Sequence, residues 1–430
     1  MKSLVRIYYL SVLVVALLVL AACGTVTLDR PVYTAAVYNE AQDAEPEPAV
    51  TAVPSYTAAP STSGQTMENP TPENPTQYPV CEADIWIGEL SLREKIGQLI
   101  MPRLPWQTTH VSTALHDWFA SYPVGGIILF SDNVDTVGQV QALTSDLQAA
   151  SRFPLFIATD EEGGRVSRVG RLFPDSTILP AYEIGRTNDP EVAYMTGRII
   201  GEGLLSLGIN MNFAPVADVW TNPANTVIGN RSFGRDPEVV GLMVDAAVRG
   251  LNSAGVVSTI KHFPGHGDTY EDSHYLLAVY PHDRERFDQV EAPPFMRGIE
   301  AGAHGVMMGH IATPLLQNST APLYWMEPWL ASGTLPATFS DFWMQDVLRG
   351  EMGFEGLIIT DALEMRALSD HFTPEQIAVG AFVAGADILL MPTDIPATFD
   401  ALIEAYQNGV FDTPRLHESL RRIYWARNNG

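Results

Sequence analysis

Residues 255 to 274 read Gly-Val-Val-Ser-Thr-Ile-Lys-His-Phe-Pro-Gly-His-Gly-Asp-Thr-Tyr-Glu-Asp-Ser-His. The first six residues form a short apolar run of the kind a buried strand makes. From Lys261 the chain turns polar, and Pro264, Gly265 and Gly267 break any regular continuation. A buried strand that hands its next residues to a polar loop is how α/β folds mount chemistry on a rigid frame. Lys261, His262, His266, Asp272 and His274 would be an unexplained concentration of charge and desolvation cost in such a loop unless they served an active site.

The same alternation recurs on either side. Apolar runs at 124–130, 155–159, 209–216, 256–260, 305–308, 357–360 and 388–391 are separated by helical patterns such as 190–207, 238–254 and 374–384. Buried strands alternating with amphipathic helices imply a parallel sheet with helical crossovers. The number of units in one domain-sized segment favours a single catalytic domain of α/β class, a (β/α)8 TIM-type barrel. Seven strands are clear, and Pro336-Ala337-Thr338-Phe339-Ser340 is the candidate for the eighth. Nearly every run ends in a group able to touch a ligand: Asp160, Asp218, Lys261 with His262, His310 and Asp361. Each alone could be a helix N-cap. In a barrel they would share the C-terminal mouth, which is where such enzymes keep their sites.

The ends of the chain read differently. Lys2 and Arg6 precede an apolar run over 7–20 that ends Leu20-Ala21-Ala22-Cys23-Gly24. This pattern is an export signal covering 1–23, and it resembles a bacterial lipobox in which Cys23 becomes the lipid-modified N-terminus; an uncleaved membrane anchor is the alternative. Either version predicts an extracytoplasmic protein held at the cell membrane. Residues 24–81 are rich in Pro, Thr, Ser, Ala and Glu and cannot bury enough apolar area to offset chain entropy, so they read as a disordered tether. The catalytic domain is expected over 82–430. Cys81 is the only other cysteine, so acylation of Cys23 leaves no intramolecular disulfide and the fold must rest on its core.

Composition narrows the partners. Fifty acidic against 25 basic residues give a formal net charge of −25, the wrong sign for neutralising phosphates, so no nucleic-acid partner is expected. No metal or organic cofactor is expected either. Gly163-Gly164 is followed by Arg165-Val166 rather than a dinucleotide fingerprint, and His262 and His266 are separated by Pro264 and Gly265 rather than by helix. No serine-nucleophile elbow occurs. Carboxylates, histidines and cations around a cleft remain, which is the equipment for glycosyl transfer.

At this point the sequence resembles glycoside hydrolase family 3, in particular its β-N-acetylglucosaminidase branch, from Leu90 onward. The resemblance rests on Lys261-His-Phe-Pro-Gly-His-Gly267 with Asp272-Ser273-His274. Supporting matches are Asp160-Glu-Glu-Gly-Gly-Arg-Val166, Asn212-Phe-Ala-Pro-Val-Ala-Asp-Val219, Asn230-Arg-Ser-Phe-Gly234 and Ile359-Thr-Asp-Ala-Leu-Glu-Met365. It implies that Asp361 is the nucleophile and that His274, paired with Asp272, is the acid/base on a mobile loop given its freedom by Gly265, Gly267 and Asp268. An imidazolium can protonate a leaving oxygen and the resulting imidazole can then activate water near neutral pH. Asp160, Arg168, Arg231, Lys261 and His262 match the residues that hold the hydroxyls and 2-acetamido group of the terminal sugar, Arg168 by its spacing from Asp160 only. Met391 and His310 would wall the pocket; His310 reads equally as a satisfied core histidine. Many relatives carry a second α/β domain, whereas here the chain stops soon after Arg421-Arg422-Ile423-Tyr424-Trp425, so the acid is expected within the barrel.

The expectation is therefore a lipid-anchored, monomeric, retaining exo-β-N-acetylglucosaminidase acting on muropeptides or chitooligosaccharides. A phosphorylase or a β-glucosidase on the same scaffold, and a sugar-binding lipoprotein without turnover, are the rivals.

Overall fold

The computed structural model describes residues 80–173, 178–316 and 318–429. The leader over 1–23, Cys23 and all but the last two residues of the tether lie outside the described residues. Those last two open a helix, Val80–Glu89.

The frame is α/β. Six parallel strands form one curled sheet in the order β2-β3-β4-β5-β7-β9, namely β2 Gly126–Ile128, β3 Phe156–Thr159, β4 Met211–Asn212, β5 Val257–Phe263, β7 Gly305–Met308 and β9 Leu357–Thr360. All of their residues are buried, which is why these runs read as continuously apolar rather than alternating. A separate parallel pair, β1 Ile100–Met101 and β10 Leu389–Leu390, runs alongside. Single bridges Arg103↔Ile128 and Ile359↔Ile388 link that pair to the two edges of the sheet. A short parallel pair, β6 Ala278–Val279 with β8 Ile311–Ala312, ties the loop after β5 to the segment after β7.

One strand expectation is corrected. Residues Ala337–Phe339 form a buried 3-10 turn, closed by the Phe339 N–H donating to the Pro336 carbonyl, and not an eighth strand. Pro336 has no N–H to offer a ladder. The strand that pairs with β10 is instead β1, two residues long and just after the helix Leu92–Gly97, too short to show a period of its own.

The outer helices follow local rules. Asp189 and Asp236 cap the helices Pro190–Ser206 and Pro237–Ser253, each with proline in the first turn. These two helices approach so closely that a Cβ on Gly250 would lie 2.1 Å from the Tyr194 carbonyl oxygen. At the N-terminal end of β10, buried Asp387 accepts from Arg349 at 2.8 Å and Arg422 at 3.2 Å and tethers the Ile358 N–H at 2.9 Å. This charge cluster sits at the end of the strands opposite to Asp361 and serves stability.

Candidate active site

Adjacent strand ends bring the polar residues together. Asp361 directly follows β9, and its N–H donates to the Met308 carbonyl at the end of β7. Lys261 lies in β5 opposite Met307 of β7. Asp160 and Glu162 follow β3. The Lys261–His262 peptide is cis.

Lys261 Nζ lies 2.7 Å from Asp160 Oδ1 and 2.7 Å from Glu162 Oε1. Arg231 donates through Nε and a terminal nitrogen to the two oxygens of Glu162, both at 2.8 Å. The side chains of Lys261 and Glu162 are only 2% and 4% exposed, so the pairing compensates desolvation that neither charge could bear alone. Burial opposes the charge on all three, and the partners outweigh it. Glu162 is held far below the ordinary carboxylate range by Arg231 and Lys261. Glu162 holds Arg231 above its ordinary value. Asp160 and then Glu162 do the same for Lys261. Arg168 stands at the edge, 3.8 Å from Asp160 Oδ2 and stacked over Phe130 at 5.3 Å. Its Nε is buried without a hydrogen-bond partner. Fixed cations beside fixed carboxylates are suited to paired hydrogen bonds with vicinal hydroxyls.

His262 joins this cluster to a second one. Its Nε2 is 3.4 Å from an Arg231 nitrogen, which can only donate, so the ring proton sits on Nδ1 and is given to Asp218 Oδ2 at 2.8 Å. Asp218 is fully buried and also accepts from the His266 N–H at 2.6 Å. Burial would raise its pKa, but His262 and His266 lower it overall. The His266 ring is buried between the hydroxyls of Thr269 and Ser273, at 2.6 and 3.0 Å. Burial first, then the neighbouring His262, pushes its pKa down to about 4. Ser273 lies between Asp272 and His274, so this chain of bonds runs from the Lys261 cluster to the expected acid/base pair.

His274 Nδ1 is 2.8 Å from Asp272 Oδ1, leaving Nε2 turned away from its partner. Both groups are open to solvent, with side chains 62% and 37% exposed. The His274 carbonyl accepts from the Arg366 N–H at 3.4 Å, five residues beyond Asp361. At Asp361, Oδ1 accepts from the Ala362 N–H at 2.7 Å. Burial would raise this carboxyl, yet His262, His310 and that N–H together bring its pKa down to about 2, so it is an anion at every working pH.

His310 is fully buried and hydrogen-bonded on both sides. Nε2 donates to the Ala362 carbonyl at 3.0 Å, so Nδ1 accepts from the Thr338 hydroxyl at 2.6 Å. It braces the backbone beside Asp361 and has no surface to offer a ligand. Met391 is buried at the end of β10 with φ of 50°, a conformation rare for a residue with a side chain, and its N–H donates to the Met101 carbonyl. A Cβ on Gly267 would lie 1.9 Å from the Val219 carbonyl oxygen. Its role is close backbone packing at the base of the loop.

Glu162 organises the site without having been singled out in the sequence, while Asp218 and His266 were singled out there by position but given no role. For Glu162 the sole signal was its place inside the motif that starts at Asp160. Among the described residues no group of three or more His, Cys, Asp or Glu side chains is arranged to hold a metal.

Residues 91–426 match the profile described as the glycosyl hydrolase family 3 N terminal domain. Beta-hexosaminidase A of Pseudoalteromonas piscicida is 39% identical over 333 residues, which are 73% of this chain and 55% of that protein. The chain thus spans about half the length of that relative. A solved glycoside hydrolase family 3 beta-N-acetylglucosaminidase from Paenibacillus sp. str. FPU-7 superposes with a TM-score of 0.72 at 37% identity, over 79% of this chain and 62% of that one. A solved structure described as beta-glucoside phosphorylase BglX superposes at 0.69 with 26% identity, over 81% of this chain and 59% of that one.

Proposed function

The chain belongs to glycosyl hydrolase family 3, and from that premise we propose that it is a retaining exo-β-N-acetylglucosaminidase, releasing terminal N-acetylglucosamine from muropeptides or chitooligosaccharides. The observation that carries this reading is the carboxylate of Asp361, held as an anion at the end of β9 among His262, His310 and Lys261, with an aspartate–histidine pair on the loop beside it. An ionised nucleophile and a separate titratable proton donor are the two parts that double displacement needs.

In this mechanism the terminal sugar rests its hydroxyls and acetamido group on Asp160, Arg168, Arg231, Lys261 and His262. The free oxygen of Asp361 attacks the anomeric carbon as the glycosidic bond breaks, and His274 gives its Nε2 proton to the departing oxygen. Asp272 holds the ring through Nδ1 and supports its charged form. In the second step Nε2 takes a proton from water, the hydroxyl adds to the anomeric carbon, and the bond to Asp361 breaks. Each step returns the site to its starting charge.

The finer architecture fits the same reading: the two single bridges beside β1 and β10 are where the sheet would close into an eight-stranded barrel. Attachment through an acylated Cys23 outside the cytoplasm, and a monomeric state, complete the proposal on the strength of the sequence.

A second reading is favoured by the likeness to the beta-glucoside phosphorylase. A neutral imidazole beside the covalent intermediate would repel phosphate less than a carboxylate would, so phosphate could take the place of water. Both are tested with para-nitrophenyl β-N-acetylglucosaminide and the matching β-glucoside, with and without phosphate, identifying the sugar product. Free N-acetylglucosamine, independent of phosphate, is the expected result, and Asp361→Ala should lower kcat/KM about 10⁴-fold or more at unchanged Tm. Sugar 1-phosphate would establish the phosphorylase instead, and turnover of the glucoside alone would remove the substrate assignment.

A further inference from the structure

The loop that carries Asp272 and His274 exposes Tyr270 (73%), Tyr275 (61%) and Leu276 (62%) within seven residues, and Leu315 (63%) stands in the turn after β8, the strand paired with β6 of the same loop. Single exposed apolar residues are ordinary. Three in one short loop, with a fourth on the segment bonded to it, form a patch that calls for an occupant.

Geometry says which side of the reaction the patch faces. The N–H groups of Tyr275 and Leu276 both donate to the Asp272 carbonyl at 2.9 Å, so these two residues turn with the dyad as one unit. Asp272 occupies Nδ1 of His274, so the proton must leave through Nε2. A proton donor has to come within hydrogen-bond reach of the leaving oxygen. Residues fixed to that donor therefore flank the leaving group, not the sugar held by Lys261 and Asp160. An enzyme that removes a terminal sugar meets any second ring on this side alone.

We propose that Tyr275, with Tyr270 and Leu276, forms a leaving-group subsite that takes the flat C–H face of a β-linked hexopyranose. Such a ring carries its large substituents equatorially, so its two faces are apolar, and tyrosine supplies a broad surface with few torsions to freeze. Because the patch and the proton donor share one turn, a leaving ring that docks on the patch draws His274 to its oxygen. This inference rests on the hydrolase reading given above.

The test compares two substrates that both need a proton at an alkoxide leaving oxygen and differ in the ring: methyl β-N-acetylglucosaminide and chitobiose. The readout is the ratio of kcat/KM for chitobiose to that for the methyl glycoside. Tyr275→Ala should lower this ratio about ten-fold and Tyr275→Phe, which keeps the ring, should hold it. The disaccharide in which the leaving sugar bears a lactyl carboxylate is the second arm. A fall with either disaccharide supports the subsite, and the larger fall identifies the leaving sugar it takes. An unchanged ratio in Tyr275→Ala, or an equal loss on both glycosides, overturns the subsite while the hydrolase reading stands. A wild-type protein inactive on all three glycosides overturns both.

Discussion

The two halves of the site are built on opposite principles. Lys261, Glu162 and Arg231 are buried charges locked by several short contacts, whereas the His274 ring and backbone N–H meet a single oxygen of Asp272 and the pair stands in solvent. The first arrangement is costly to desolvate and must be complete before substrate arrives, so in the proposed mechanism it would act as a rigid mould for the terminal sugar. The second costs little, since an exposed ion pair adds about 1 kcal/mol or less to stability. In the proposed mechanism it would leave the proton donor free to meet leaving groups of different shape. Between them His266 and Ser273 provide a buried link.

The sharpest way to break this contrast is to cut the mould. Glu162→Ala leaves Arg231 without its two-oxygen partner and Lys261 with Asp160 alone. It should destabilise the fold by about 3–5 kcal/mol in urea or thermal unfolding and raise KM as well. A variant of native stability would mean that the cluster is solvated and no mould exists.

Removing the proton donor should do the reverse. His274→Ala is expected to keep the native Tm while lowering kcat/KM about 100-fold on alkyl and sugar glycosides, and much less on the para-nitrophenyl glycoside, whose leaving group needs no proton. Equal losses on activated and natural substrates would sink the acid role.

The smallest effect concerns the link. His266 is neutral in the folded protein down to about pH 4, while in the unfolded chain it gains a proton near 6.5. Its contribution to stability is therefore complete above about 6.5 and is lost as pH falls towards 4. His310, lowered chiefly by burial, acts in the same direction, whereas Asp361 and Asp218 lose their contributions only at more acid pH. His266→Gln should flatten, without abolishing, the decline in urea midpoint between pH 6.5 and 4. A variant with the wild-type slope would show that the ring is not buried as a neutral base.

Much of the frame was legible because its causes are local. Apolar runs of four to eight residues, most of them ended by a polar side chain, follow from the period of a buried strand, and they placed Asp160, Lys261, His310 and Asp361 at one end of the sheet. The runs that misled were those where length hid the period. β1 is two residues long and left no pattern, while Pro336 to Ser340 has strand-like residues but closes a turn. Gly265 and Gly267 show the same limit, since glycine marks both a bend and a close packing, and composition cannot say which.

Glu161 and Glu162 show where sequence reading ends. They are adjacent carboxylates in one motif, yet Glu162 faces Arg231 and Lys261, while Glu161 turns away to accept the N–H groups of Arg168 and Val169 at 2.7 and 2.9 Å. The sequence alone determined which residue types stand at each strand end, because polarity and period act over a few neighbours. Which of them became ion pair or brace was decided only by the tertiary structure, because the partner that sets each of those roles comes from a distant part of the chain and exists only once the sheet has curled.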